Sequence, residues 1–113
     1  MISEMERARH AAERGVILQA LRSDYGSKMT SAGTLRRALF LMAQPVTEDG
    51  LQFHLNLLAD LGYIKIWRVE DAPGYRVDRN TTTRGDRIAF ARLQPKGLQL
   101  IDGDIEADPS VSF

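Results

Sequence analysis

The sequence has no cysteine, few aromatic residues at 7%, and no apolar run long enough to cross a bilayer. The first absence removes disulfides and thiolate zinc sites together and fits a reducing, cytoplasmic compartment. The longest apolar stretch, 38–43, falls far short of the roughly 20 residues a membrane-spanning helix needs. Glu4 and Glu6 stand where a secretory leader carries cations, so no leader is expected. There is no glycine-rich phosphate loop, and no serine or threonine has a recognisable base and orienting acid. Enzyme activity is therefore not expected. His10 and His54 have no acidic pair at ligand spacing beside them, so neither a metal site nor a cofactor is expected.

Net charge is also missing: fifteen basic residues balance fifteen acidic ones. The balance is uneven along the chain. Residues 1–64 hold seven of each sign, residues 65–96 hold eight basic and four acidic, and residues 97–113 hold four acidic and no basic residue. Any electrostatic function belongs in the middle segment, where the acidic tail could shield it.

At 113 residues the chain is the size of one domain, able to bury roughly 65% of its unfolded surface. Ser3 and Glu6 have capping-box spacing and open a helix running to about Asp24. Met5, Ala8, Ala12 and Val16 form a thin apolar stripe on its first half, and residues 16–21 are apolar almost all round. Gly26 suits its C-cap. Leu35, Leu39 and Met42 predict a second helix over 34–43, ended by Pro45. Thr47 then caps a third, with Glu48 and Asp49 at its positive end and Leu51, Leu55 and Leu58 on one face, ending at Gly62. The period next becomes alternating, predicting strands over 63–69 and 87–93, with Ile88 and Phe90 on one face of the second. The long connection contains Tyr75 and Val77, which could extend the hairpin. Pro95 opens a last helix, over 96–102, ended by Gly103. The expected fold is mainly α with a β-hairpin wing, in the order α-α-α-β-β-α. Residues 1–103 form one domain and 104–113 an irregular acidic tail.

The segment from Leu51 through His54, Leu55, Leu58 and Gly62 to Ile64 resembles the third-helix signature of winged helix-turn-helix regulators of the ArsR and PadR type. Ala91 to Leu98 is similar to the stretch after the wing in those regulators and in MarR-type ones. With its acidic 101–109 ending, the whole chain resembles small winged-helix proteins of Mu-like prophages. That resemblance implies a phage or prophage transcription regulator in a bacterial host, its third helix in a major groove of double-stranded DNA and its wing on the backbone.

The residues themselves distribute that role unevenly. The outward face of the third helix holds Asp49, Gln52, Phe53, Asn56 and Asp60, with no arginine or lysine. Gln52 and Asn56 could each contact adenine. Arg36, Arg37, Lys65, Arg68, Arg76, Arg79, Arg84 and Arg87 are the expected backbone contacts. The all-round apolar part of the first helix, through Val16 and Leu18, predicts a homodimer interface. Phe53 beside two acids suggests a surface for a phage or host protein. The alternative function is a winged-helix interaction module that does not bind DNA.

Overall fold

Three hydroxyl caps start three of the helices. In the computed structural model of the chain, which describes residues 3–25, 29–71 and 86–113, Ser3 Oγ accepts from Glu6 N at 3.2 Å and opens α1, Glu4–Ser23. Ser31 Oγ accepts from Thr34 N at 3.1 Å and opens α2, Ala32–Leu41. Thr47 Oγ1 accepts from Gly50 N at 3.0 Å and opens α3, Glu48–Asp60. Each bond satisfies a backbone donor that the first turn leaves without an intrahelical partner. Gly62 (φ 84°) turns the chain after α3, and Lys96 Nζ donates to the Leu61 carbonyl at 2.8 Å. The last helix, α4, runs Pro95–Asp102 and stops at left-handed Gly103. The Gly26 cap lies outside the described residues.

Among the described residues the fold is mixed α+β, four helices and a three-stranded antiparallel sheet, and its order corrects the sequence reading. A strand of two residues, β1 (Thr30–Ser31), precedes α2 and pairs with Ala91 and Phe90. Two residues carry no periodicity, and their partner lies about sixty residues away, so nothing local announces them. The other strands are β2, Ile64–Arg68, and β3, Ile88–Leu93, in the sheet order β1-β3-β2. Val69–Asp71 forms a single 3-10 turn after β2, and Val69 N still donates to Arg87 O at 2.7 Å. Tyr75 and Val77 lie outside the described residues.

The register pairs Ile64 with Leu93, Lys65 with Arg92, Ile66 with Ala91 and Trp67 with Phe90, then slips so that Arg68 faces Ile88. The slip places Ile88 inward and Phe90 outward, which corrects the single face expected for them. Ile88, Ala91 and Leu93 join Ile17, Leu18, Leu21, Leu35, Leu39, Leu51, Leu55 and Leu58 in one core between the sheet and the helices. Met42 does not belong to it. The residue caps α2 and is exposed because the chain turns away at Ala43 (φ 59°).

The first half of α1 departs most from expectation. Met5 and Ala8 are exposed, while Glu13, Arg14 and Gly15 are buried. Glu13 faces His54 of α3, and Arg14 and Gly15 are covered by the acidic tail, which has no helix or strand yet folds back onto α1. Val111 enters the core, and Ser112 N donates to Ala11 O at 3.0 Å. Gly15 lets the tail pass: a Cβ there would stand 1.9 Å from the Ser112 carbonyl oxygen. Leu18 is wholly buried, and Val16 is half-buried against the core. Leu18 thus has no surface for a dimer contact, because α1 is covered within one chain by α2, β3 and α4.

Two alanine substitutions test this packing in opposite directions. Gly15→Ala is expected to cost about 1–3 kcal/mol and to abolish hydrogen-exchange protection of the Ser112 amide. Gly33→Ala, in the first turn of α2 with nothing within 4 Å of the added carbon, is expected to gain about 0.5 kcal/mol in denaturant unfolding.

Candidate functional site

Helix α3 and the base of the hairpin are sewn together by the residues expected to read DNA. The Gln52 amide donates from Nε2 to Ile88 O at 2.9 Å and accepts at Oε1 from Ile88 N at 2.8 Å. Both ends of the amide are satisfied by one residue of β3, so Gln52 is a staple rather than a free base-reading group. Asn56 donates to Gln52 O at 3.0 Å and lies 3.5 Å from Arg68 Nη2. Arg87 bonds Asp49 at 2.7 Å and approaches Glu48 at 3.5 Å, joining the hairpin to the acidic first turn of α3. The Asp49 hydrogen bond, with the charge of Glu48, pushes the Arg87 pKa further up.

The expected backbone contacts divide into groups. Arg87, Arg68 and Arg36 are engaged within the chain, Arg68 on the Asp86 carbonyl and Arg36 on Val46 O at 3.1 Å. Arg37 is exposed on α2. Arg76, Arg79 and Arg84 lie outside the described residues. Lys65 stands on the outer face of the sheet with Nζ 5.1 Å from the Trp67 ring centre. Its cross-strand neighbour Arg92 approaches the same ring at 5.7 Å. The sequence reading missed Arg92, because only the slip in register shows which way it faces. Neither cation has a carboxylate within 4.0 Å among the described residues.

A second constellation gathers where α1, α3 and the tail meet. Arg14, 8% exposed, donates from Nε to His54 Nδ1 at 3.2 Å and from Nη1 to Ser110 O at 2.9 Å. With Nδ1 accepting, the neutral His54 ring carries its proton on Nε2, which faces Glu13 Oε1 at 3.6 Å. His54 is 2% exposed, and its pKa is pushed down to about 4, first by burial and then by the charges of Arg14 and His10. Burial likewise lowers the pKa of Arg14.

Tyr63 and Asp108 brace the same tail, sharing a 2.6 Å hydrogen bond. Burial and that bond push the Tyr63 pKa up to about 12. Burial alone raises Asp108, but hydrogen bonds from Ser110 and Tyr63 outweigh it and leave the carboxyl below its ordinary value.

His10, Glu13 and His54 bring potential ligand atoms within 4.8 Å of one another. His10 and Glu13 stand one helical turn apart, a spacing that the sequence reading passed over. Two metal bonds of about 2.1 Å span at most about 4.2 Å, shorter than the 4.8 Å across the trio, and Arg14 takes His54 Nδ1 while Nε2 stays turned to Glu13. As placed, the trio is an electrostatic corner rather than a closed coordination sphere. Beside it lies a groove of 560 Å³, lined by α1, α3 and the tail, with Phe53 on its wall. Phe53 is 56% exposed, in keeping with its expected surface position.

Comparison of the chain with protein-family models, curated proteins and solved structures finds no match. No helix among the described residues is long and apolar enough to cross a membrane.

Two predictions follow from the geometry. Gln52→Glu keeps an acceptor for Ile88 N but sets a second acceptor against Ile88 O, and is expected to lower unfolding stability by about 1–3 kcal/mol. Neutral His54 contributes stability in full above its unfolded pKa of about 6.5, and that contribution is lost as pH falls toward 4. The loss reaches about 3 kcal/mol. Thermal unfolding from pH 7 to 4 should show this decline, and His54→Gln should flatten it. Asp108 loses its contribution only below its ordinary value of 3.8, outside that window.

Proposed function

We propose that this is a winged-helix protein that binds double-stranded DNA through its hairpin, acting as a small regulator of the phage or prophage kind. In this reading α2 and α3 are the helix-turn-helix, β2 and β3 carry the wing, and α3 is a scaffold more than a reading head. One observation carries it. The outer sheet face presents Lys65 and Arg92 directly opposite each other, flanking Trp67, with no carboxylate partner among the described residues. Like charges at facing positions destabilise a sheet, and the aromatic ring offsets only part of that repulsion. A phosphate backbone supplies the missing counter-charge. The face belongs to the segment with eight basic and four acidic residues, which adds Arg76, Arg79 and Arg84 in sequence. A regulator of this kind acts in the cytoplasm as a dimer, with its contact surface elsewhere than Leu18.

A second reading, an interaction module without DNA binding, is favoured by Phe40, Leu41 and Met42. These three residues are exposed in succession at the end of α2. Gel-shift titration of duplex DNA at several salt concentrations separates the two. Four neutralised phosphates give a slope of log affinity on log salt near about −3.6, and Lys65→Ala/Arg92→Ala should reduce its magnitude by about 2. Unfolding stability of that pair should change by less than about 1 kcal/mol. No shift at micromolar protein in low salt favours the interaction module.

A further inference from the structure

The groove at the meeting of α1, α3 and the tail is lined by Arg7, His10 and Arg14 of α1, Phe53 and His54 of α3, and Pro109 of the tail. Among the described residues no acidic side chain lines it. Its 560 Å³ falls in the range of roughly 300–1,000 Å³ typical of small-molecule sites.

Arg14 is the unusual member. The residue as a whole is more than nine-tenths buried, yet no carboxylate lies within 4.0 Å of its guanidinium among the described residues. Glu13 and Asp108 act on it only through space. Its two described hydrogen bonds, to a neutral imidazole and a backbone carbonyl, satisfy donors without cancelling charge. Nη2 makes no hydrogen bond to a described residue. A buried cation without a paired anion is costly, and an anion entering the groove would relieve that cost. Arg7 adds a second cation, while the Phe53 ring, 6.0 Å from the Arg14 guanidinium carbon, adds an apolar wall.

We infer that the groove binds a small aromatic carboxylate, with its carboxylate on the Arg14 fork and Arg7 and its ring against Phe53 and Pro109. A planar carboxylate matches the fork geometry of a guanidinium, and a flat apolar body matches an exposed phenyl beside proline. A bare inorganic anion would leave the apolar wall unfilled.

The test is titration of 2-naphthoate into the full chain, followed by amide NMR. Saturable shifts are expected at Arg14, Gly50, Phe53, His54 and Ser110, with a Kd of about 10⁻⁴ to 10⁻³ M, the range for a ligand of this size. The neutral analogue 2-naphthamide should bind about tenfold more weakly, and Phe53→Ala should weaken naphthoate by about tenfold. Arg14→Lys, which removes the fork, should weaken it similarly; if that variant does not fold, the comparison of naphthoate with naphthamide decides. The inference is overturned by no saturable shift at 10 mM probe (about tenfold above the weakest expected Kd), by equal affinity for the two probes, or by shifts confined to Lys65, Trp67 and Arg92.

Discussion

A guanidinium does not shed its charge on burial, so the surroundings of Arg14 have to be built around it. One nitrogen takes His54 of α3 as its acceptor and another takes the carbonyl of Ser110 in the tail. A single side chain of α1 therefore reaches two segments far apart in sequence. The electrostatic effects follow. His54 is held neutral, and its remaining nitrogen is turned to Glu13. The tail is drawn across Gly15, where only a residue without a side chain lets it pass. What is left between these parts is the groove.

The same economy governs the rest of α3. In the resemblance to winged-helix regulators, the outward polar residues of this helix would be the reading group. Here they are spent on the fold: Gln52 on Ile88, Asn56 on the Gln52 carbonyl, and Asp49 on Arg87. A helix whose Gln52 amide is held at both ends by its own hairpin has less left for base edges, whereas it gains a rigid seat for that hairpin. Two cations without an acidic partner among the described residues, Lys65 and Arg92, lie on the opposite side of the sheet. Under the proposed DNA-binding reading, such a distribution favours contact with the phosphate backbone over sequence preference.

Much of the fold was legible because it is written in local signals. Ser3, Thr47, Gly62, Pro95 and Gly103 mark helix ends through caps, fixed φ or left-handed turns, and the leucines of α3 mark its buried face. What escaped the sequence reading depends on distant partners. Thr30 and Ser31 become a strand only because Ala91 and Phe90 lie beside them, and Arg92 faces outward only because the register slips near Ala89. The site was less legible still. A charged pair such as Glu13 and Arg14 reads as a solvated helix face until α3 covers the first and the tail the second. Gln52 reads as exposed until both ends of its amide meet Ile88. His10 and Glu13, one turn apart, were the local hint of the corner; that His54 would join them is tertiary information.

The central claim is that Arg14 binds α1, α3 and the tail into one unit. Native-state hydrogen exchange on the wild type and on Arg14→Met, which keeps an unbranched apolar stem without the charge or the donors, measures this most directly. The account predicts that the Ser112 amide, bonded to Ala11 O, loses about ten- to a hundredfold of its protection while the amides of β2 and β3 keep theirs. Unchanged protection at Ser112 in a folded Arg14→Met protein would contradict it.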